Sequence, residues 1–389
     1  MTGMDGDAAR RATARIAALA HRGEDVATFW RHSGEVLRDS VPHYLGPCWF
    51  TLDPASLIMT SHFQEGVPEF PAEWAAAEYS DDGDVHHLAD VARSAAGIST
   101  LHDATNGHPE TSPRWHANMA YGGDQELMAA LRTRDGRVWG VLSLYREPGA
   151  PRFENEEIEF VRNIAPLLAD GARRGLLVGE ARDPEGADAP GLVVLNADWQ
   201  VESISPGVDR WLDELPDGNW QIGRLPPSVL AVAGRALAGP ETMTSTDIAR
   251  VAVARVLTRS ETWVVLHGVP LIAGGQRRVA VIVEPAHPDR ISSLLMSAYR
   301  LTDREQELTR LVLQGCATAE IAERLTISPN TVQQHLKSVF DKTGVRSRRQ
   351  LISSVFLAHY EPRVRDNEQR TIGALPIRGG PIASSRQPS

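Results

Sequence analysis

The sequence predicts a multidomain α+β protein: two mixed α/β domains, each an antiparallel sheet with flanking helices, then a C-terminal all-α module of four short helices. Three observations predict this. The chain has 389 residues, room for roughly two to four domains. Runs of strand period and helix period alternate up to residue 285, whereas residues 301–360 hold helix-period runs only. A polar Pro/Gly-containing stretch, residues 181–190, reads as a linker between the first two domains.

Composition narrows the function classes. Hydrophobic residues are 42% and charged residues 23%, the balance of a globular protein. No apolar run reaches the roughly 18 residues of a membrane span, and the N-terminus does not read as a secretory signal. A cytoplasmic protein with no membrane partner is expected. Two cysteines, Cys48 and Cys316, cannot build a four-thiolate metal site. Only two lysines occur, Lys337 and Lys342, against 38 arginines. Residues 1–336 therefore hold neither a Walker A phosphate loop nor a Schiff-base lysine. The net charge of -10 divides unevenly: residues 1–300 carry -14 and residues 301–389 carry +4. An acidic body with a mildly basic end fits a protein that meets nucleic acid only through that end.

Residues 1–20, rich in Ala and Arg, are expected as a frayed helical lead-in to a first domain at 21–178. Residues 27–41 are apolar at helical spacing through Phe29, Trp30, Val36 and Leu37. Residues 48–52 and 57–60 read as strands around an Asp53–Pro54 turn, and residues 125–134 and 137–145 as a hairpin. Its Asp135–Gly136 turn suits a tight geometry in which both central residues take positive φ. Residues 153–174 form a long helix, acidic at its start (Glu154, Glu156, Glu157) and basic at its end (Arg173, Arg174), matching the helix dipole. Asp135, Gly136, Gly140 and Leu142, with the closing helix, make this region resemble a GAF domain. That resemblance implies a small-molecule site between sheet and loops, or a dimerisation platform.

Residues 191–285 open with strands 191–195 and 200–204 around Ala197–Asp198, continue with a helix from 206, and end with strands 250–257, 262–269 and 278–284. The phrases Gly-Leu-Val-Val-Leu-Asn-Ala-Asp and Val-Glu-Ser-Ile-Ser-Pro resemble a PAS opening; residues 213–248 carry no sharp pattern. Residues 286–300 read as a connecting helix, and 361–389, rich in Pro, Gly and Ser, as a disordered tail.

The strongest signal is residues 301–356. Thr302 and Glu305 form a capping box, Leu308, Leu311 and Val312 a buried stripe, and Gly315 a stop. Ile321, Ala322 and Leu325 mark a second helix. Ser328 caps a third and Pro329 takes its first position, with Val332, Leu336, Val339 and Phe340 inward and Gly344 as its stop. Ser347 and Gln350 cap a fourth helix bearing Leu351, Ile352 and Val355. The third helix has a polar outer face, which suits either solvent or the edges of base pairs in a major groove.

The matches Leu301-Thr302-x-Arg304-Glu305, Glu320-Ile321-Ala322, Ile327-Ser328, Thr331-Val332, His335-Leu336 and Gly344-Val345 make this stretch closely similar to the helix-turn-helix of LuxR-type transcription regulators. The resemblance implies that Gln333, Gln334 and Lys337 face base edges, and that Thr318, Thr331, Lys342, Arg346 and Arg348 face phosphates. It also implies that Leu351, Ile352 and Val355 support a homodimer. The family's usual Ser-Asn-Lys before Glu-Ile-Ala is Ala317-Thr318-Ala319 here, and its lysine after Thr-Val is Gln333. A capping hydroxyl and two cations are thereby lost, which lowers non-specific affinity and salt dependence.

His86, His87, His102, His108 and His116 crowd a Pro/Gly-rich stretch and are expected in a polar loop, with a haem or metal site as the minor reading. Cys48, in an apolar strand, is expected as a small core residue. The expected protein is a DNA-binding transcriptional regulator that catalyses nothing, needs no cofactor and answers to an unknown small molecule or protein signal. The rivals are an enzyme built on the first domain, a first domain that only dimerises, and a helical module that docks protein instead of double-stranded DNA.

Overall fold

The computed structural model describes residues 6–65, 71, 73–79, 84–176, 190–238, 252–260, 262–273, 276–286, 294–313 and 315–351. These residues divide into two compact units, one holding both sheets and the other the C-terminal helices.

The first sheet pairs in the order β2-β1-β5-β4-β3. Its strands are β1 (Tyr44–Leu52), β2 (Met59–Phe63), β3 (Ile98–Thr100), β4 (Gln125–Arg132) and β5 (Val138–Arg146). The central strand β5 is buried along its whole length. That is the burial expected of a strand covered on both faces.

The hairpin between β4 and β5 departs from expectation. Gly136 has φ 85° while Asp135 stays out of the left-handed region. The Gly136 N–H bonds the Thr133 carbonyl, and the ladder slips between Leu131 and Arg132. The turn is therefore an ordinary turn closed by a glycine bulge, which needs one left-handed residue and not two.

Helices α1 (Gly6–His21), α2 (Val26–Ser40) and α7 (Asn155–Gly175) cover one side. The expected frayed lead-in is instead an ordered helix that buries Ala12, Ile16, Leu19 and Ala20. The Ala/Arg composition hid this apolar stripe. Helix α7 starts with Glu154 and Glu157 in a reciprocal capping box. Gly171 lets it approach α2, since a Cβ there meets the Phe29 ring at 2.0 Å.

Between β2 and β4 the chain forms four short helices: α3 (Glu73–Ala77), α4 (Leu88–Arg93), α5 (Leu101–Ala104) and α6 (Pro113–Met119). Of the five histidines in this stretch, His102 and His116 lie in α5 and α6, and His86, His87 and His108 lie between helices. Thr100 and Ser112 cap α5 and α6 by accepting from Asp103 N–H and Trp115 N–H.

The second sheet repeats the order of the first, β7-β6-β10-β9-β8. Its strands are β6 (Gly191–Leu195), β7 (Val201–Ile204), β8 (Val253–Leu257), β9 (Trp263–Ala273) and β10 (Gln276–Pro285), with helices α8 (Val208–Glu214) and α9 (Pro227–Leu237) before β8. The two sheet domains share one unit. Asp53, 3% exposed, accepts from the Arg255 side chain at 2.6 and 2.8 Å and from its backbone N–H at 2.9 Å. Helix α9 packs on α3 at Gly234, where a Cβ would sit 2.3 Å from the Ala76 carbonyl oxygen.

The second unit contains α10 (Asp303–Leu313), α11 (Thr318–Arg324), α12 (Pro329–Thr343) and helical residues from Arg348. Met296 joins its core, beside Leu301, Leu308, Val312, Ile321, Val332, Leu336 and Val339. Residues 294–298 are helical. Residues 299–300 form a turn, and residues 287–293 of the expected connecting helix, the linker at 181–189 and the tail at 361–389 lie outside the described residues. No helix among the described residues is long and apolar enough to cross a membrane.

Candidate nucleic-acid interface and sensory groove

The third helix of the C-terminal unit, α12, is fixed at both ends. The Ser328 hydroxyl accepts from the Thr331 N–H, Pro329 fills the first turn, and Gly344 ends the helix at φ 73°. Val332, Leu336 and Val339 are buried, and Gln333, Gln334 and Lys337 are exposed on the opposite face. The three expected base-facing residues thus share one polar surface.

Helix α11 braces this surface. Its N-cap is Ala317, which gives no side-chain hydrogen bond, the missing cap that the sequence implies. Gln333 Nε2 lies 3.5 Å from Thr318 Oγ1, the outer limit of a hydrogen bond. The α11–α12 turn passes through Thr326 at φ 54°, a left-handed conformation costly for a β-branched residue.

The expected phosphate-facing residues separate into two groups. Thr318 and Thr331 lie near the starts of α11 and α12, and Arg346 is exposed after α12. Lys342 and Arg348 are engaged within the unit: Lys342 Nζ donates to Glu305 Oε2 at 2.6 Å, and the Arg348 guanidinium donates to the Cys316 carbonyl. The Glu305 carboxylate also accepts from Ser338 Oγ at 2.6 Å and the Thr302 N–H at 2.7 Å. Burial opposes its ionisation, but these donors hold its pKa below the usual value.

Leu351 is fully buried in the unit's own core. Its side chain packs within the unit, beside Leu301, Val339 and Val345 of the same core. Ile352 and Val355 lie outside the described residues.

The sheet domains hold a second feature. Arg114 at the start of α6 is buried and makes a fork to Glu126 on β4, at 2.6 and 2.9 Å, while its Nη1 donates to Glu78. Asn118 donates to Glu126 at 3.0 Å. Burial alone would raise the Glu126 pKa, but Arg114 and Asn118 bring it down to about 2. The Arg114 guanidinium also sits 5.4 Å from the Trp74 ring centre. These residues lie beside a groove of about 460 Å³ between α3 and α6, lined among others by Trp74, Tyr121 and Trp199. Sequence reading missed this site because its charges meet across 36 and 12 residues of chain.

Cys48 is buried, as expected, and burial pushes its thiol pKa up. Among the described residues no three His, Cys, Asp or Glu side chains are placed to hold a metal.

Residues 299–355 match the family described as "Bacterial regulatory proteins, luxR family", and residues 19–170 match the GAF domain. The spore germination protein GerE of Bacillus subtilis is 42% identical over 52 residues, which cover 13% of this chain and 70% of that protein.

The chain belongs to the luxR family.

Other relatives also match over short stretches. A putative HTH-type transcriptional regulator of Mycobacterium tuberculosis is 48% identical over 52 residues, 13% of this chain and 6% of its own length. The transcriptional regulatory protein DesR of Bacillus subtilis is 36% identical over 66 residues, 17% of this chain and 33% of that one. This luxR-family chain therefore spans a small part of the mycobacterial relatives that it matches. The structure of Escherichia coli SdiA aligns with 90% of this chain and 97% of its own at 14% identity and a TM-score of 0.32.

Proposed function

We propose that this protein is a cytoplasmic, sequence-specific transcriptional regulator that binds double-stranded DNA through α12 and answers to a small molecule or protein sensed by its N-terminal unit. The polar face of α12 carries the reading. Gln333, Gln334 and Lys337 stand outward from a buried stripe on a helix capped at both ends. Amides and an ammonium on one helical face match the donor and acceptor pattern of a major groove. A homodimer on a two-fold operator suits a module with so few free cations. The repeated 2-1-5-4-3 strand order favours a PAS-like second domain beside the GAF domain. The reading assigns no catalytic step to any residue.

Gel shifts of the full-length protein with a genomic fragment library test it. Recovery of a limited set of fragments, resistant to competitor DNA, supports the reading. Equal binding to all fragments, or to none while the protein is folded, contradicts it and favours a module that docks protein.

A further inference from the structure

We propose that the groove between α3 and α6 binds a small organic cation, an aromatic or quaternary amine, held between the rings of Trp74, Tyr121 and Trp199. The proposal rests on the sensory reading above and names its ligand class. About 460 Å³ lies within the size range of small-molecule sites.

Two kinds of side chain set the preference. The ring faces of Trp and Tyr attract cations, and three such residues from separate segments line one groove. The groove is also electronegative. Among the described residues Arg114 is the single Lys or Arg that lines it, and its charge is met by two buried carboxylates, Glu78 and Glu126. That cluster carries a formal -1, and the lining residues Glu73 and Asp84 bring it to -3. A carboxylate ligand would meet repulsion with Arg114 already committed, whereas an ammonium group meets attraction in a site partly shielded from water.

His86 adds a separate observation. It lies in sequence between the groove-lining Asp84 and His87, is itself buried behind them at 5% exposed, and among the described residues neither ring nitrogen has a hydrogen-bond partner. Its backbone is held at φ 81°, a strained conformation of the kind that collects at functional sites. Burial keeps the ring neutral, with a pKa of about 4.

Tryptophan fluorescence and thermal melting of the full-length protein test the proposal with three probes: phenethylammonium, benzyltrimethylammonium and the isosteric carboxylate 3-phenylpropionate. Both cations should bind saturably and raise Tm, and the carboxylate should not. Trp199→Ala should weaken cation binding about tenfold, and Glu73→Gln about threefold, with the unliganded Tm unchanged. Equal or tighter binding of 3-phenylpropionate, or no binding of either cation to the folded protein, overturns the proposal. DNA binding is measured in parallel. Protein that binds DNA but no cation refutes the ligand class alone, and protein that binds cations but no DNA refutes the regulator reading alone.

Discussion

Lys342 reaches across the C-terminal unit to Glu305, Nζ to Oε2 at 2.6 Å, and so ties the last turn of α12 to the first turn of α10. One carboxylate thereby caps α10 through the Thr302 N–H and holds α12 through Lys342 and Ser338. The bond adds to the core contacts of Val332, Leu336 and Val339 in holding the proposed recognition helix.

Lys342→Met should destabilise the protein by about 1–2 kcal/mol, the range for a partly exposed charge-assisted hydrogen bond. The Glu305 pKa is depressed below 4.5. Its contribution is therefore fully present above that value and fades as the pH falls through the lower folded pKa. Urea unfolding at neutral and acid pH should show the wild-type and variant curves converging in acid.

Arg114→Met should cost about 3–5 kcal/mol, because it leaves Glu78 and Glu126 buried without their cation. Unfolding free energies measure this. A loss below about 1 kcal/mol would mean that Arg114 does not compensate the buried carboxylates it contacts.

Gly234→Ala should destabilise the first unit by about 1–3 kcal/mol, since the added methyl collides with the Ala76 carbonyl and pushes α9 from α3. Hydrogen exchange on both helices reads the separation. Protection lost in α9 but retained in α3 would show that the contact is not shared.

Thr326→Gly should stabilise the C-terminal unit by up to about 1 kcal/mol, because relief of the left-handed strain at φ 54° outweighs the entropy that glycine adds to the unfolded chain. Thermal melts give the sign.

Legibility in the sequence followed local pattern. Helix α7, the β4–β5 hairpin and α10–α12 were readable because caps, stops and apolar period lie within a few residues of one another. Helix α9 was not, because its run PSVLAVAGRAL is apolar nearly all round and has no polar face to set a period. The short helices α3–α6 are too brief to establish one. At the proposed DNA-facing surface, spacing placed Gln334 and Lys337 on the polar face of α12 with Gln333 on its flank. It could not tell that Lys342 and Arg348 are bonded inside the unit, or that Leu351 fills its core. Those facts belong to tertiary contacts. The Arg114–Glu126–Glu78 cluster was invisible for the same reason: Glu126 lies in a strand with buried neighbours on both sides and carries no signal of its partner.

The account stands on α12 reading bases. Footprinting of full-length protein on selected genomic fragments, with Gln334→Ala beside the wild type, tests this most directly. The wild type should protect an inverted repeat with half-sites about one DNA turn apart. Gln334→Ala should lose about 1–3 kcal/mol on that site and relax preference at one base pair per half-site, with non-specific affinity unchanged. Unchanged preference at every position, or equal weakening on all sequences, would contradict the assignment of α12 as the base-reading helix through Gln334.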